Sequence, residues 1–175
     1  KAGLPDRVAS RASLLFQRLG RVEAEIHQQP IERVHFHEVG ALDSIIDIVG
    51  AVWAIDTLGV DRVCASPLNT GSGTVATAHG QLPVPAPATI RLLEGAPAYS
   101  SGVQGELLTP TGAAIITALA TSGLPPGFVL DRVGYGAGQK EISRRSARPC
   151  RGWEFKERSW TTLTGPSWCK RSWRT

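Results

Sequence analysis

His35-Phe36-His37-Glu38-Val39-Gly40-Ala41-Leu42-Asp43-Ser44-Ile45-Ile46-Asp47-Ile48-Val49-Gly50 gathers two histidines and three carboxylates within thirteen residues, His35 to Asp47, and then runs into an apolar helix. Just upstream, Ile31-Glu32-Arg33-Val34-His35-Phe36 alternates in polarity. That predicts a short strand or extended segment with His35 and His37 on one side, because strand side chains repeat every two residues. Gly40 breaks the chain. From Asp43 to Leu58, Ile45, Ile46, Ile48, Val49, Val52, Ile55 and Leu58 cover much of a helical circumference, which predicts a largely buried helix. Asp43 and Asp47 are four apart and share a face. Gly50, Ala51 and Ala54 continue near it as small residues that let another backbone approach. Gly59 closes the helix as its C′ residue.

Working outward, Asp6 to His27 carries Val8, Leu14, Leu15, Phe16, Leu19, Val22 and Ile26 at helical spacing, with Arg7, Arg11 and Arg18 on a solvated opposite side. Pro5 sits at the first turn, Asp6 is a candidate cap, and Pro30 stops the helix. Arg62 to Ser66 reads as a strand and Asn69-Thr70-Gly71-Ser72-Gly73-Thr74 as a Gly-rich loop. Three prolines between Pro83 and Pro87 stiffen the approach to a helix from Ala88 to Glu94. Ala96 to Ser100 is an edge-strand candidate. A helix through Ala120 starts with Thr109 as N-cap and Pro110 in first position. Phe128 to Val133 is a last strand candidate before Gly134, Gly136 and Gly138. Helices alternate with short strands without internal repeat. The expected fold class is therefore α/β, a single domain with a small mixed sheet over residues 1–143, followed by an irregular tail over 144–175.

A chain of 175 residues is one ordinary domain plus a tail. It shows no apolar run long enough to span a membrane and no secretory leader. The odd, scattered cysteines Cys64, Cys150 and Cys169 read as free thiols, which points to the cytoplasm. The net charge of +4 is a property of the tail. Residues 1–139 hold nine Lys/Arg against twelve Asp/Glu, whereas 140–175 hold ten against three. The tail also holds four of the five tryptophans.

His35, His37, Glu38, Asp43 and Asp47 are imidazole and carboxylate, ligand types that first-row divalent metals accept. Two readings stand side by side: a metal site, or a helix cap at Asp43, an arginine partner for Asp47 and surface histidines. Gly71, Ser72 and Gly73 suit either a turn or a cradle of backbone N–H groups for an anion, without a P-loop pattern. Thr109, Thr111 and Gly112 start a helix, a ready anion site or simply a good cap.

Taken in order, His35 to Gly50, Ser66-Pro67-Leu68 with Gly71-Ser72-Gly73, His79-Gly80-Gln81-Leu82-Pro83-Val84-Pro85-Ala86-Pro87-Ala88-Thr89, Glu106 to Ala114 and Gly134-Tyr135-Gly136-Ala137-Gly138 form five blocks. Together, over residues 3–143, they resemble the nickel insertion protein of nickel-pincer cofactor biosynthesis, the LarC family. The resemblance implies insertion of Ni²⁺ into pyridinium-3,5-bisthiocarboxylic acid mononucleotide, with one Ni–C and two Ni–S bonds formed. It also implies consumption of CTP with Mn²⁺ or Mg²⁺, and a product that serves lactate racemase-type enzymes. It would make this a CTP-dependent lyase, a cyclometallase. His35, His37, Glu38, Asp43, Asp47 and His79 then become the metal candidates, and Gly71, Ser72, Gly73, Thr109, Thr111 and Gly112 the candidates for the mononucleotide.

Family members also carry an upstream strand and a C-terminal domain for CTP chemistry, neither seen in this sequence, so the expectation is a part that does not complete the reaction alone. The tail, Ser146 to Thr175, has no helical or strand period. Its interleaved Arg, Ser and Trp could contact nucleic acid by charge and stacking, but the acidic body argues against that, and an out-of-frame translation explains the composition. A nucleotide-binding enzyme unrelated to nickel is the third reading.

Overall fold

The computed structural model describes residues 3–34, 42–77, 80–123, Gly134 and Gly136. Helix α1, Asp6–Ile26, is the element the others pack on: it touches each of the three other α-helices among the described residues. Val8, Ala12, Leu15 and Leu19 recur at intervals of four, three and four residues and are all buried, so one narrow stripe faces the core. Leu14 falls beside that stripe and is 63% exposed. Pro5 holds the N-cap position instead of Asp6, and its carbonyl accepts from the Val8 and Ala9 N–H groups at 2.9 and 3.0 Å. The expected solvated arginines divide: Arg7 pairs with Asp56, and Arg18 donates to the Leu92 carbonyl at 3.3 Å.

After the C-cap His27, Gln28 turns the chain with φ +50°. Ile31–Arg33 is then a 3-10 turn and not the start of the expected strand, whose His35 and Phe36 lie outside the described residues. Pro30 sets the turn, and the Arg33 and Val34 N–H groups bond back to Pro30 and Ile31. Alternating polarity is compatible with a strand only where a partner offers a ladder, and the local bonds win here.

Helix α2, Leu42–Thr57, buries only Ser44, Ile48 and Val52. The largely buried helix of the sequence reading is thus corrected: Leu42, Ile46 and Trp53 are 69, 59 and 50% exposed. A Cβ added at Gly50 would meet nothing within 4 Å, so no backbone approaches there. One stripe of α2 meets α1, and its apolar remainder faces outward. The end follows expectation: Gly59 has φ +61°, and the Val60 N–H reaches the Ile55 carbonyl at 3.2 Å, the six-to-one bond of a Schellman end.

Among the described residues ten short elements follow: β1 Val63–Ala65, β2 Leu68–Asn69, β3 Gly71–Ser72, β4 Thr74–Thr77, β5 Gly80–Pro83, α3 Pro87–Leu92, β6 Ala98–Tyr99, β7 Gly105–Glu106, α4 Pro110–Leu119 and β8 Ala120–Ser122. Among the described residues the strands form two-stranded ladders, parallel for β1·β8 and β2·β6, antiparallel for β3·β7 and β4·β5. The α/β class and the mixed strand directions agree with the sequence, while the sheet is divided into small pieces. The Gly-rich segment expected as a loop is mostly short strand, interrupted at Thr70 and Gly73, and the strand candidate Phe128 to Val133 lies outside the described residues. The core joins Val8, Ala12, Leu15 and Leu19 of α1 to Ile48 and Val52, Leu92 and Leu93, and Leu108, Ala113 and Ala114. Each large side chain fully buried there contributes about 1.5–3 kcal/mol relative to exposure.

Candidate functional site

Helices α2 and α4 meet at their starts. Ser44, 7% exposed in the first turn of α2, lies with its Oγ 3.4 Å from the Thr111 Oγ1 in the first turn of α4. That hydrogen bond sets Asp43 one residue from the junction. Asp43 is the second residue of α2 and so not its N-cap, but a carboxylate in the first turn is favoured by the positive end of the helix dipole. Asp43 and Asp47 are both exposed, and neither makes an ion pair with a described residue. His35, His37, Glu38 and His79 lie outside the described residues, and among the described residues no three His, Cys, Asp or Glu side chains group as metal ligands.

The other half of the junction is held by β3·β7. Gly71 pairs with Glu106 and Ser72 with Gly105, which fixes the Gly-rich segment three residues before Thr109. Gly71 is buried with φ +81°, and a Cβ there would sit 2.0 Å from the Gly105 carbonyl oxygen. Only glycine allows these two backbones to come so close. Its N–H is directed to the Asn69 Oδ1 at 3.3 Å. The Ser72 hydroxyl donates to the Val103 carbonyl at 3.0 Å and accepts from Gln104 Nε2 at 3.0 Å. Gly73, φ +89°, is exposed, and its Cβ position faces the Gln104 side chain.

At α4 the expected cap is present. Thr109 Oγ1 accepts from the Gly112 N–H at 3.2 Å, and the Ala113 N–H bonds the Thr109 carbonyl at 2.8 Å. Pro110 has no N–H. Among the first three residues of α4, the Thr111 N–H is therefore the donor left for a ligand, beside its own hydroxyl. The junction can thus present carboxylates to a cation on the α2 side, and one amide with hydroxyls to an anion on the α4 side.

Sequence reasoning missed Ser44, which sits in an apolar run with nothing to mark it. Away from the junction, a cleft of about 340 Å³ is lined by Arg11, Leu14, Leu15, Ile55, Val63 and Leu119, none of them a candidate residue. The Arg91 guanidinium on α3 is raised in pKa by its hydrogen bond to Glu25 and by the Glu94 charge. Cys64 is a buried free thiol. No helix among the described residues is long and apolar enough to cross a membrane.

A family profile described as nickel insertion protein matches residues 1–153. The pyridinium-3,5-bisthiocarboxylic acid mononucleotide nickel insertion protein of Desulfitobacterium hafniense (strain DSM 10664 / DCB-2) is 53% identical over 144 residues, 82% of this chain and 36% of that protein. The protein of the same name from strain Y51 is 52% identical over 144 residues, again 82% and 36%. A relative from Geobacter sp. (strain M21) is 55% identical over 143 residues, 81% of this chain and 37% of its own length. The chain thus spans little more than a third of these relatives. No solved structure matches.

Proposed function

This chain belongs to the nickel insertion protein family, and from that premise we propose that it supplies the N-terminal part of the machinery that inserts nickel into pyridinium-3,5-bisthiocarboxylic acid mononucleotide. Residues 1–143 are the α/β part and 144–175 a basic tail outside it. In this reading nickel and the mononucleotide are substrates. His35, His37, Glu38, Asp43, Asp47 and His79 hold the ion, and Gly71, Ser72, Gly73, Thr109, Thr111 and Gly112 line the seat of the mononucleotide. The Ser44 to Thr111 hydrogen bond supports it, because it joins the helix start bearing Asp43 to the helix start suited to a phosphate.

Chemistry gives the order of events. Imidazole and carboxylate bind Ni²⁺ without thiolate, so the ion passes readily to the softer sulfurs of the acceptor. The Thr111 N–H and the α4 dipole hold the phosphate and orient the ring toward the aspartates of α2. In this proposal CTP, with Mn²⁺ or Mg²⁺, and the lyase, cyclometallase reaction are assigned to a part of the machinery other than the residues described. The reading places the protein in the cytoplasm.

Isothermal titration of the chain with NiCl₂, and separately with CTP, tests the reading. Nickel binds the wild type and binds more weakly to at least one of His35→Ala, His37→Ala, Asp43→Ala and Asp47→Ala. Unchanged nickel binding in all four sinks the ligand assignment. Binding of CTP without nickel favours a nucleotide enzyme of another kind.

A further inference from the structure

Two cavities meet at Arg18 on α1. The larger, about 340 Å³, lies between α1, the ends of α2 and α4 and the start of β1, and Leu14, Leu15, Ile55, Val63 and Leu119 give it apolar walls. The smaller, about 160 Å³, carries Ser66, Glu94, Thr117 and Ser122. Arg18 borders both. It is half-buried, and one of its five N–H donors has a partner among the described residues: Nη2 donates to the Leu92 carbonyl at 3.3 Å. That bond sets the guanidinium at the end of α3, where Gly95 and Ala96 line the smaller cavity. No carboxylate among the described residues pairs with it. Glu94 borders the same cavity, but Arg91 holds its carboxylate at 2.5 Å. A half-buried cation without a counterion favours an anion beside it.

We propose that this double cavity binds a small organic carboxylate with an apolar body, at a site separate from the junction of α2 and α4 and independent of the nickel reading. The carboxylate takes the remaining Arg18 donors in the paired geometry a guanidinium offers. The Ser122 hydroxyl, which bonds no other described side chain, borders the same space. A monoanion suits the site better than a phosphate. Arg18 is the one uncompensated charge there, since Arg11 and Asp61 of the larger cavity balance each other, and Thr117 spends its hydroxyl on the Ala113 carbonyl at 2.7 Å. The apolar body lies along Leu14, Leu15 and Leu119, covering a leucine that is otherwise 63% exposed. A mainly apolar cavity of this size, with one charge to fix orientation, is the usual build of a small-molecule site.

Methyl and arginine side-chain NMR spectra of the chain, recorded while octanoate, 1-octanol or acetate is added at millimolar concentration, test the site. Octanoate shifts the Leu14, Leu15 and Leu119 methyls together with the Arg18 Nε–H, and binds at least tenfold more tightly than 1-octanol, the same body without charge, or acetate, the charge without the body. Arg18→Met keeps an apolar stem against the cavity and removes the charge. It weakens octanoate about tenfold or more and leaves 1-octanol unchanged. Leu14→Ser, at an exposed position, weakens octanoate several-fold and leaves acetate unchanged, with helix content by circular dichroism retained. Methyls indifferent to octanoate, equal binding of octanoate and 1-octanol by the wild type, or an Arg18→Met chain that binds octanoate as tightly as wild type overturns the proposal. Should Arg18→Met lose its fold, the preference of the wild type for octanoate over 1-octanol decides.

Discussion

Gly71→Ala removes the closest backbone approach beside the candidate site. Two costs add. Alanine at φ +81° is strained by about 1–2 kcal/mol, the ordinary penalty for a left-handed L-residue. The new Cβ also meets the Gly105 carbonyl oxygen at 2.0 Å, where real contacts do not fall below 3.0 Å. That neighbour is backbone and cannot swing aside, so β3 and β7 must part by roughly 1 Å and weaken their ladder, at about 0.5–1.5 kcal/mol for each hydrogen bond lost. The expected total is about 2–5 kcal/mol, a large part of the stability of a domain of this size. Gly95→Ala is the control: φ is +79°, and nothing lies within 4 Å of its Cβ position, so it carries the strain alone. Urea unfolding followed by circular dichroism gives both values. A Gly71→Ala midpoint no lower than that of Gly95→Ala would falsify the contact and, with it, the joining of the Gly-rich segment to the start of α4.

Other expectations are simpler to check. Thr109→Ala removes the cap of the Gly112 N–H and lowers stability by about 1 kcal/mol in the same unfolding assay, while Thr109→Ser stays near wild type. Ile48→Ala, in the buried stripe of α2, costs about 2–5 kcal/mol, whereas Ile46→Ala, two residues away and exposed, stays within about 0.5 kcal/mol. Ser44→Ala and Thr111→Val, combined in a double-mutant cycle, show a coupling of about 0.5–1 kcal/mol; strict additivity would mean that the two helix starts are not joined by that hydrogen bond.

Much of the local architecture is legible in the residues. Val8, Leu15 and Leu19 of the expected α1 face, the Gly59 end of α2 and the Thr109-Pro110 start of α4 stand where spacing puts them, while Leu14 of that face is exposed; each depends on atoms within a turn or two of chain. The strand expected at Ile31 fails for a physical reason: alternation describes a face but does not supply a partner, and Pro30 offers a turn instead. The outward face of α2 fails likewise, since hydrophobicity says which side chains gain from burial and not how many neighbours arrive to cover them.

The candidate site divides in the same way. Sequence alone determined the chemical inventory, the five ordered blocks and their family, because residue types and their order are read without coordinates. Tertiary structure decided which parts meet. Ser44 reaches Thr111 across 67 residues of chain, and Gly71 must be glycine because the Gly105 carbonyl lies against it. Each of these rests on the separation of atoms far apart in sequence, which packing of α1 against α2, α3 and α4 fixes and no local pattern encodes.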